Sequence, residues 1–219
     1  MRALKRFIQS LAQTKEENRH SMVGPAHLWK MKRDFQIHFL KKENLKPEHY
    51  LLDIGCGTLR GGIPLIAYLQ NGHYFGVEVR EDALDEGRKE LNEAGLEEKK
   101  PTLLVSSDIS KLSIEQKFDY IWAFSVLLHM SDEILNDTLA FVSDHLSNTG
   151  AFYANVYIGE WKEGNWLEFP VVARTFEFYS NACTKNYLAM SDLGYLKDYG
   201  HISNVKSQDN QRMLKITKN

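Results

Sequence analysis

Apolar positions along this chain change their spacing in a regular order between residues 50 and 158. Short apolar runs, typical of buried strands, alternate with segments in which apolar residues recur every three or four positions, as on one helix face. The runs predict strands at 50–54, 73–79, 102–106, 120–124 and 151–158, and the segments between them predict helices at 63–70, 81–94, 109–115 and 132–146. This alternation indicates a parallel sheet with helices on both faces.

The N-terminal residues predict a helical cap in front of this alternation. Residues 1 to about 20 place four apolar side chains at the spacing of an amphipathic helix, namely Leu4, Phe7, Ile8 and Leu11. Gly24-Pro25 then interrupts the chain, and a proline is well suited to begin the next helix, which runs towards Lys42. We therefore expect a cap over residues 1–47 and a main domain over residues 48–219.

The C-terminal third predicts an insertion and the end of the sheet. Residues 159–170 combine glycines, a proline and two tryptophans, which indicates a loop with aromatic anchors. A helix near residues 176–193 follows, and residues 195–199 and 212–217 predict two antiparallel strands. The predicted fold class is α/β, with a Rossmann-like, seven-stranded, mostly parallel sheet, helices on both faces and an N-terminal helical extension.

Composition narrows the classes of function. The 219 residues, 43% of them hydrophobic, suit one α/β domain with a modest appendage, and a net charge of -2 gives the whole chain no electrostatic reason to bind nucleic acid. Cys56 and Cys183 make no disulfide framework, so we expect a reducing, cytoplasmic location. No apolar run approaches the roughly 20 residues that a membrane span requires. No histidine has metal-ligand spacing, and no metal site is expected.

Residues 51–62, Leu-Leu-Asp-Ile-Gly-Cys-Gly-Thr-Leu-Arg-Gly-Gly, constrain function more than any other segment. They predict a strand, a tight turn and the start of a helix. Gly55 and Gly57 allow the sharp turn and let a ligand approach the N–H groups at the helix start. Asp53 places a carboxylate just before the turn, within reach of an amino or hydroxyl group. Arg60 stands where the dinucleotide pattern G-x-G-x-x-G needs its third glycine, so that pattern fails.

This segment resembles motif I of the class I S-adenosylmethionine-dependent methyltransferases, in which an acidic residue precedes G-x-G. The resemblance extends over roughly residues 48–158 and implies the fold described above. It also implies that the segment binds S-adenosylmethionine through the following residues: Asp53, Gly55, Cys56, Gly57 and Arg60.

Two further acidic residues end predicted strands. Glu78 follows Gly57 by 21 residues, a position from which a carboxylate accepts hydrogen bonds from both ribose hydroxyls, and Val79 lies beside it. By the resemblance, Asp108 after the third strand bonds the adenine amino group and Ile109 packs on the adenine ring. The alternative for Asp108 is a helix N-cap.

The fourth strand leads to the candidate catalytic residue. By the resemblance, the backbone near Phe124 and Ser125 lines the methionine portion of the cofactor. His129 lies just beyond, and a neutral imidazole can accept a proton from an attacking hydroxyl group. We therefore expect His129 to be the general base, although many such histidines only bond the cofactor or nearby backbone. His201 is the next candidate.

Methyl transfer from a sulfonium mainly requires that the two reactants are positioned correctly. We therefore expect recognition of the acceptor to fall to insertions outside the core. The N-terminal helices and a substrate-side insertion around residues 159–190 are the candidates. The insertion holds seven aromatic residues that could stack on a sugar or ring, or could equally form the core of a small lid: Trp161, Trp166, Phe169, Phe176, Phe178, Tyr179 and Tyr187.

The predicted function is O-methylation of a hydroxyl group on a small molecule or glycan, since the extended motif resembles bacterial methyltransferases of glycan or natural-product pathways. Two alternatives stay open: a non-catalytic S-adenosylmethionine-binding protein, and a nicotinamide-dependent oxidoreductase, against which Arg60 argues. The chain lacks the Asn/Asp-Pro-Pro-aromatic motif of amino-methylating nucleic-acid enzymes, so no nucleic-acid partner is expected. Neither the acceptor nor the oligomeric state follows from the sequence.

Overall fold

A computed structural model describes residues 15–219 of the chain, so the apolar stripe at Leu4, Phe7, Ile8 and Leu11 lies outside the described residues. Two helices precede the sheet, α1 (Lys15–Ser21) and α2 (Trp29–Lys42). A short 3-10 turn, Ala26–Leu28, follows Pro25 and leads directly into α2.

Seven strands form one sheet in the order β3-β2-β1-β4-β5-β9-β8. Strands β1 to β5 are parallel, and β9 runs antiparallel to both of its neighbours. The predicted seven-stranded, mostly parallel sheet with one antiparallel strand is confirmed. The bounds are β1 Leu51–Ile54, β2 Tyr74–Glu78, β3 Thr102–Val105, β4 Phe118–Ala123, β5 Leu146–Val156, β8 Leu188–Tyr195 and β9 Arg212–Lys218.

Helices cover both faces of the sheet, as predicted. One face packs against α2, α3 (Gly62–Tyr68) and α4 (Glu81–Glu93), and the other packs against α5 (Asp132–His145) and α6 (Phe176–Lys185). Ser131 begins α5 as its N-cap, because its side chain accepts a hydrogen bond from the Ile134 N–H. Within residues 15–219, no helix combines the length and the apolar composition needed to cross a membrane.

Helix α2 contributes to the main core rather than lying on its surface. Phe39 and Leu40 are buried, and the Phe39 ring lies 5.5 Å from both Trp122 of β4 and Tyr153 of β5, centroid to centroid. The same helix also buries two polar residues, Lys32 and Gln36, on the face that carries Phe39. This face therefore continues from the core to the edge where the parallel strands end.

The structure corrects the late elements. The predicted helix over 176–193 ends at Lys185, because Asn186 caps it and Tyr187 turns the chain with a φ of 60°. Strand β8 therefore occupies Leu188–Tyr195, where pairing with β9 satisfies its backbone, and the predicted strand at 195–199 is a 3-10 turn. A short apolar segment of this kind does not distinguish helix from strand until a partner strand is known.

Two shorter segments also differ from prediction. The loop expected over 159–170 contains a hairpin, with β6 (Trp161–Trp166) and β7 (Phe169–Ala173) forming a separate two-stranded sheet. The helix expected over 109–115 is only a 3-10 turn, Ile109–Lys111.

Candidate active site

A cavity of about 450 Å³ opens at the edge where the parallel strands end. This volume lies within the range of roughly 300–1,000 Å³ that is usual for small-molecule sites. Three groups of residues form walls of this cavity. The glycine-turn wall comprises Asp53, Gly55, Cys56, Gly57, Arg60 and Glu78; the cap wall comprises Lys32, Gln36, His201, Gln208 and Gln211; the hairpin wall comprises Trp166, Phe169 and Val171.

The turn after β1 requires both of its glycines. Gly55 and Gly57 have φ angles of +71° and +56°, which disfavour any side chain. A Cβ atom on Gly55 would lie 2.5 Å from the Val126 side chain, and one on Gly57 would lie 2.7 Å from the Val23 side chain. The absence of side chains at these two positions therefore lets Val126 and Val23 pack directly against the turn.

Glu78 ends β2 beside this turn, as the sequence predicted. Its Oε2 accepts a hydrogen bond from the Gly57 N–H at 2.8 Å, and its Oε1 accepts from the backbone N–H groups of Val79 and Arg80 at 3.1 and 3.0 Å. A carboxylate has about four acceptor positions, so one remains for a ligand. The three bonds fix the orientation of a carboxylate that lines the cavity.

Asp53 is buried below the same turn. Its Oδ2 accepts a hydrogen bond from the Tyr74 hydroxyl at 2.7 Å. Burial raises the pKa of Asp53 to about 7, although the Tyr74 bond acts in the opposite direction. A cationic group of a ligand beside Asp53 would therefore favour its ionised form.

Arg60 and Cys56 complete the glycine-turn wall. The Arg60 Nη1 donates to the Val23 carbonyl at 2.8 Å, and its Nε is buried without a hydrogen-bond partner among the described residues. Burial lowers the pKa of Arg60 to about 10. Burial also raises the pKa of the Cys56 thiol well above its usual value, so this cysteine is a packing residue rather than a nucleophile.

Asp108 is the N-cap of the turn that follows β3. It accepts hydrogen bonds from the Ser110 N–H at 3.1 Å and the Ser110 hydroxyl at 2.6 Å, and it pairs with Lys111. The adenine contacts expected by resemblance stay a prediction. Neither Asp108 nor Ile109 lines the cavity, whereas Ser107 and Val79 do.

The residues after β4 lie at the centre of the cavity. Ser125 adopts a φ of +60°, a strained value that is held by a 2.7 Å hydrogen bond from its N–H to the Asn155 Oδ1. Asn155 in turn donates to the Gln211 Oε1. The Phe124 ring lies 5.4 Å from Phe35 of α2, which joins this segment to the cap. Sequence reasoning missed Asn155, because a buried asparagine in β5 carries no motif.

His129 has one ring nitrogen engaged by the hairpin. The Pro170 carbonyl can only accept, so the 2.8 Å contact with Nδ1 assigns the proton to Nδ1 and leaves a lone pair on Nε2. Burial lowers the pKa of His129, so the ring is neutral at neutral pH. The centroid of this ring lies 5.3 Å from that of Trp166 in the hairpin wall. The Arg80 guanidinium stacks over the same tryptophan, with its Cζ 5.5 Å from the ring centroid.

His201 lies in the cap wall and is oriented by a carboxylate. Its Nδ1 is 3.0 Å from the Asp209 Oδ1, which also accepts hydrogen bonds from the Ser203 N–H and hydroxyl at 2.7 Å. The Nε2 atom is buried and has no hydrogen-bond partner in the described part of the chain. Burial lowers the pKa of His201 as well.

Lys32 and Gln36 are the cap-wall residues that sequence reasoning missed. The available signal was their spacing, because both fall on the α2 face that also carries Phe35 and Phe39. Gln36 accepts from the Trp122 indole N–H at 2.9 Å and donates to the Lys32 carbonyl. In residues 15–219, no group of three or more His, Cys, Asp or Glu side chains could hold a metal ion.

Comparisons with known proteins agree with this geometry. Residues 52–152 match the family model described as a methyltransferase domain. A search of curated proteins finds no match. Among solved structures, an S-adenosylmethionine-dependent methyltransferase from Clostridium acetobutylicum is 19% identical, with a TM-score of 0.63 over 87% of this chain and 92% of that one.

Two other solved structures share the fold. A magnesium protoporphyrin IX methyltransferase from Synechocystis PCC 6803, with bound S-adenosylmethionine, is 14% identical, with a TM-score of 0.67 over 99% of this chain and 91% of that one. A glycopeptide N-methyltransferase complexed with S-adenosylhomocysteine is 12% identical, with a TM-score of 0.66 over 85% and 90%. Residues 52–152 therefore match a methyltransferase domain, and the chain shares its fold with solved S-adenosylmethionine-dependent methyltransferases.

Proposed function

Because residues 52–152 match a methyltransferase domain, we propose that the chain transfers a methyl group from S-adenosylmethionine to a hydroxyl oxygen of a small molecule or glycan. The observation that carries the choice of oxygen is His129, a neutral imidazole beside the cavity with a lone pair on Nε2. A hydroxyl group needs a base during attack, whereas an amine that is already deprotonated does not.

The glycine-turn wall fits the cofactor. Glu78 keeps one acceptor position for a ribose hydroxyl, and Gly55 and Gly57 line the cavity with backbone that carries no side chain. Asp53 offers a carboxylate to an amino group, and Arg60 offers an unpartnered Nε to a carboxylate. When bound, S-adenosylmethionine supplies an electrophilic methyl group on a sulfonium, which is itself a good leaving group.

The protein's own contribution is to hold the acceptor, exclude water and take up a proton. The hairpin wall supplies the aromatic faces of Trp166 and Phe169 beside His129. The Pro170 carbonyl fixes the tautomer in which Nε2 accepts the proton. His201, oriented by Asp209, is the second candidate base, because its Nε2 is also unpartnered and lines the same cavity.

Two measurements test this function. Calorimetry with S-adenosylhomocysteine and with NAD should show binding of the first and none of the second. Turnover of S-adenosylmethionine against matched phenol and aniline acceptors, and against sugars, should then favour hydroxyl groups. Binding of NAD alone, or methylation restricted to amines, would contradict the proposal.

A further inference from the structure

Lys32 is a buried cation with no partner. Only 8% of its surface is exposed, and it lines the cavity from α2. Among the described side chains, none forms an ion pair or a hydrogen bond with its Nζ, and residues 1–14 contain no Asp or Glu. An unpaired buried ammonium is costly, and such groups are normally compensated. An anion from outside the chain would therefore compensate the charge of Lys32.

The charges around Lys32 do not supply this anion. Asp209 is the carboxylate whose charge acts favourably on Lys32, but its Oδ1 is already bonded to His201 and Ser203. Arg60 adds a second positive charge, which acts unfavourably on the Lys32 ammonium. Burial, reinforced by Arg60, lowers the pKa of Lys32 to about 8, so the ammonium is still mostly protonated at neutral pH.

The surroundings of Lys32 have the character of a ligand site. The His201 Nε2 and the Gln208 Oε1 are also buried without partners among the described residues, and both residues line the cavity. The rings of Phe35 and Phe124 pack beside the His201 ring, at 5.2 and 5.8 Å between centroids. A few unpartnered polar atoms in an apolar frame are typical of a site that orients a small molecule.

Resting on the proposed function, we infer that Lys32 binds an anionic group of the methyl acceptor, so that the substrate is a hydroxylated carboxylic acid or phosphate ester. The cofactor brings one carboxylate, and Arg60 on the glycine-turn wall has the unpartnered Nε that can take it. Lys32 stands on the cap wall beside His201, which leaves it for a second anion. A lysine acts as a point charge, so it accepts either carboxylate or phosphate.

The test uses the full chain saturated with S-adenosylhomocysteine. Calorimetry compares acids with neutral counterparts of similar shape: 4-hydroxybenzoate with 4-hydroxybenzamide, glucuronate with glucose, and phenyl phosphate with phenol. A charge-assisted contact predicts that at least one acid binds about tenfold more tightly than its counterpart. Preference among the carboxylates or for phenyl phosphate identifies the anion.

Variants assign the preference to this side chain. Lys32→Met should abolish it while changing the affinity for S-adenosylhomocysteine by less than about threefold, and Lys32→Arg should retain it. Lys30→Met is the matched control, since Lys30 lies two residues away and its side chain is 76% exposed. Lys32→Met should also raise the thermal stability of the unliganded protein by removing an unpaired buried charge, which shows that the variant is folded.

Three results would overturn the inference. The wild-type protein could bind no acid better than its neutral counterpart. Lys32→Met could keep the preference, which would place the anion elsewhere. Lys32→Met could instead lose about tenfold or more in affinity for S-adenosylhomocysteine, which would assign Lys32 to the cofactor carboxylate. Failure of the proposed function is a separate result, because the wild-type protein would then bind no S-adenosylhomocysteine or would methylate only amines.

Discussion

The carboxylates of the glycine-turn wall are hydrogen-bonded, although the Arg60 Nε is not, whereas the cap wall holds several polar groups without partners among the described residues. Glu78 in the first accepts three backbone hydrogen bonds, and Asp53 is bonded to Tyr74. In the second, Lys32, the His201 Nε2 and the Gln208 Oε1 have no partner among the described residues. A preorganised wall suits a ligand of constant shape, such as a cofactor. Unpartnered buried groups instead indicate where a ligand, here the acceptor, supplies the missing hydrogen bonds.

The two walls also differ in their origin along the chain. The glycine-turn wall comes from residues 53–60 and Glu78, which are joined by one strand–turn–helix unit and the next strand. The cap wall combines α2 with the segment between β8 and β9, more than half of the chain away. Local motifs therefore encode the first wall, and the packing of distant segments produces the second.

Replacement of His129 is expected to have the largest effect on the rate of methyl transfer. It tests whether proton uptake is separate from cofactor binding by the glycine-turn wall. We expect His129→Gln to slow methyl transfer by roughly 10²- to 10⁴-fold, because a general base is lost. Affinity for S-adenosylhomocysteine, measured by calorimetry, should stay nearly unchanged. His38→Gln is the control, since His38 is exposed on α2.

A His129→Gln protein that turns over normally at saturation but binds the cofactor weakly would make His129 a cofactor contact. In that case His201→Gln and Asp209→Asn should be measured next. Because Asp209 contacts the His201 Nδ1, a base at His201 predicts that both variants slow the reaction together.

Replacement of Phe39 tests whether the cap wall is built on the same core as the sheet. Phe39 is 1% exposed and contacts Trp122 and Tyr153, so Phe39→Ala should lower the free energy of unfolding by about 3–5 kcal/mol. Leu167→Ala at the exposed hairpin turn should change it by less than about 0.5 kcal/mol. Urea unfolding of both variants checks this, and equal stabilities would mean that α2 packs independently.

Replacement of Glu78 probes the preorganised wall directly. Each charge-assisted hydrogen bond contributes about 1.5–3 kcal/mol, so Glu78→Ala should weaken S-adenosylhomocysteine binding by at least about tenfold. Glu81→Gln, an exposed residue at the start of α4, is the control. Unchanged binding by a folded Glu78→Ala protein would remove Glu78 from the cofactor site.

The smallest effect is the pH dependence of the rate. A base must be neutral, and burial lowers the pKa of His129 below its usual value of 6.5. The rate should therefore fall as pH decreases through a midpoint below 6.5, and this group should cause no change above neutral pH. A midpoint above 6.5 would show that a differently placed group controls the reaction.

The sequence by itself determined the five parallel strands, three of the four helices predicted between them and the glycine turn. Strand and helix periods alternate over residues 50–158, and each period reflects which side of an element meets the core. Gly55, Gly57 and Glu78 come together within one local unit. The turn after β1 and the end of the neighbouring strand β2 lie side by side, independently of the rest of the chain. His129 could be placed beside the cavity for the same reason, since it follows the end of β4 directly.

Tertiary structure alone decided the remaining features. Strand β8 is a strand because β9, about 20 residues later, pairs with it, and the apolar spacing of residues 188–195 does not contain that information. Asp108 became a cap because the turn after β3 is short, which turned its carboxylate towards Ser110. In the sequence, Lys32 is one of several basic residues of α2. Only the packing of this helix against the sheet buries Lys32 without a partner among the described residues.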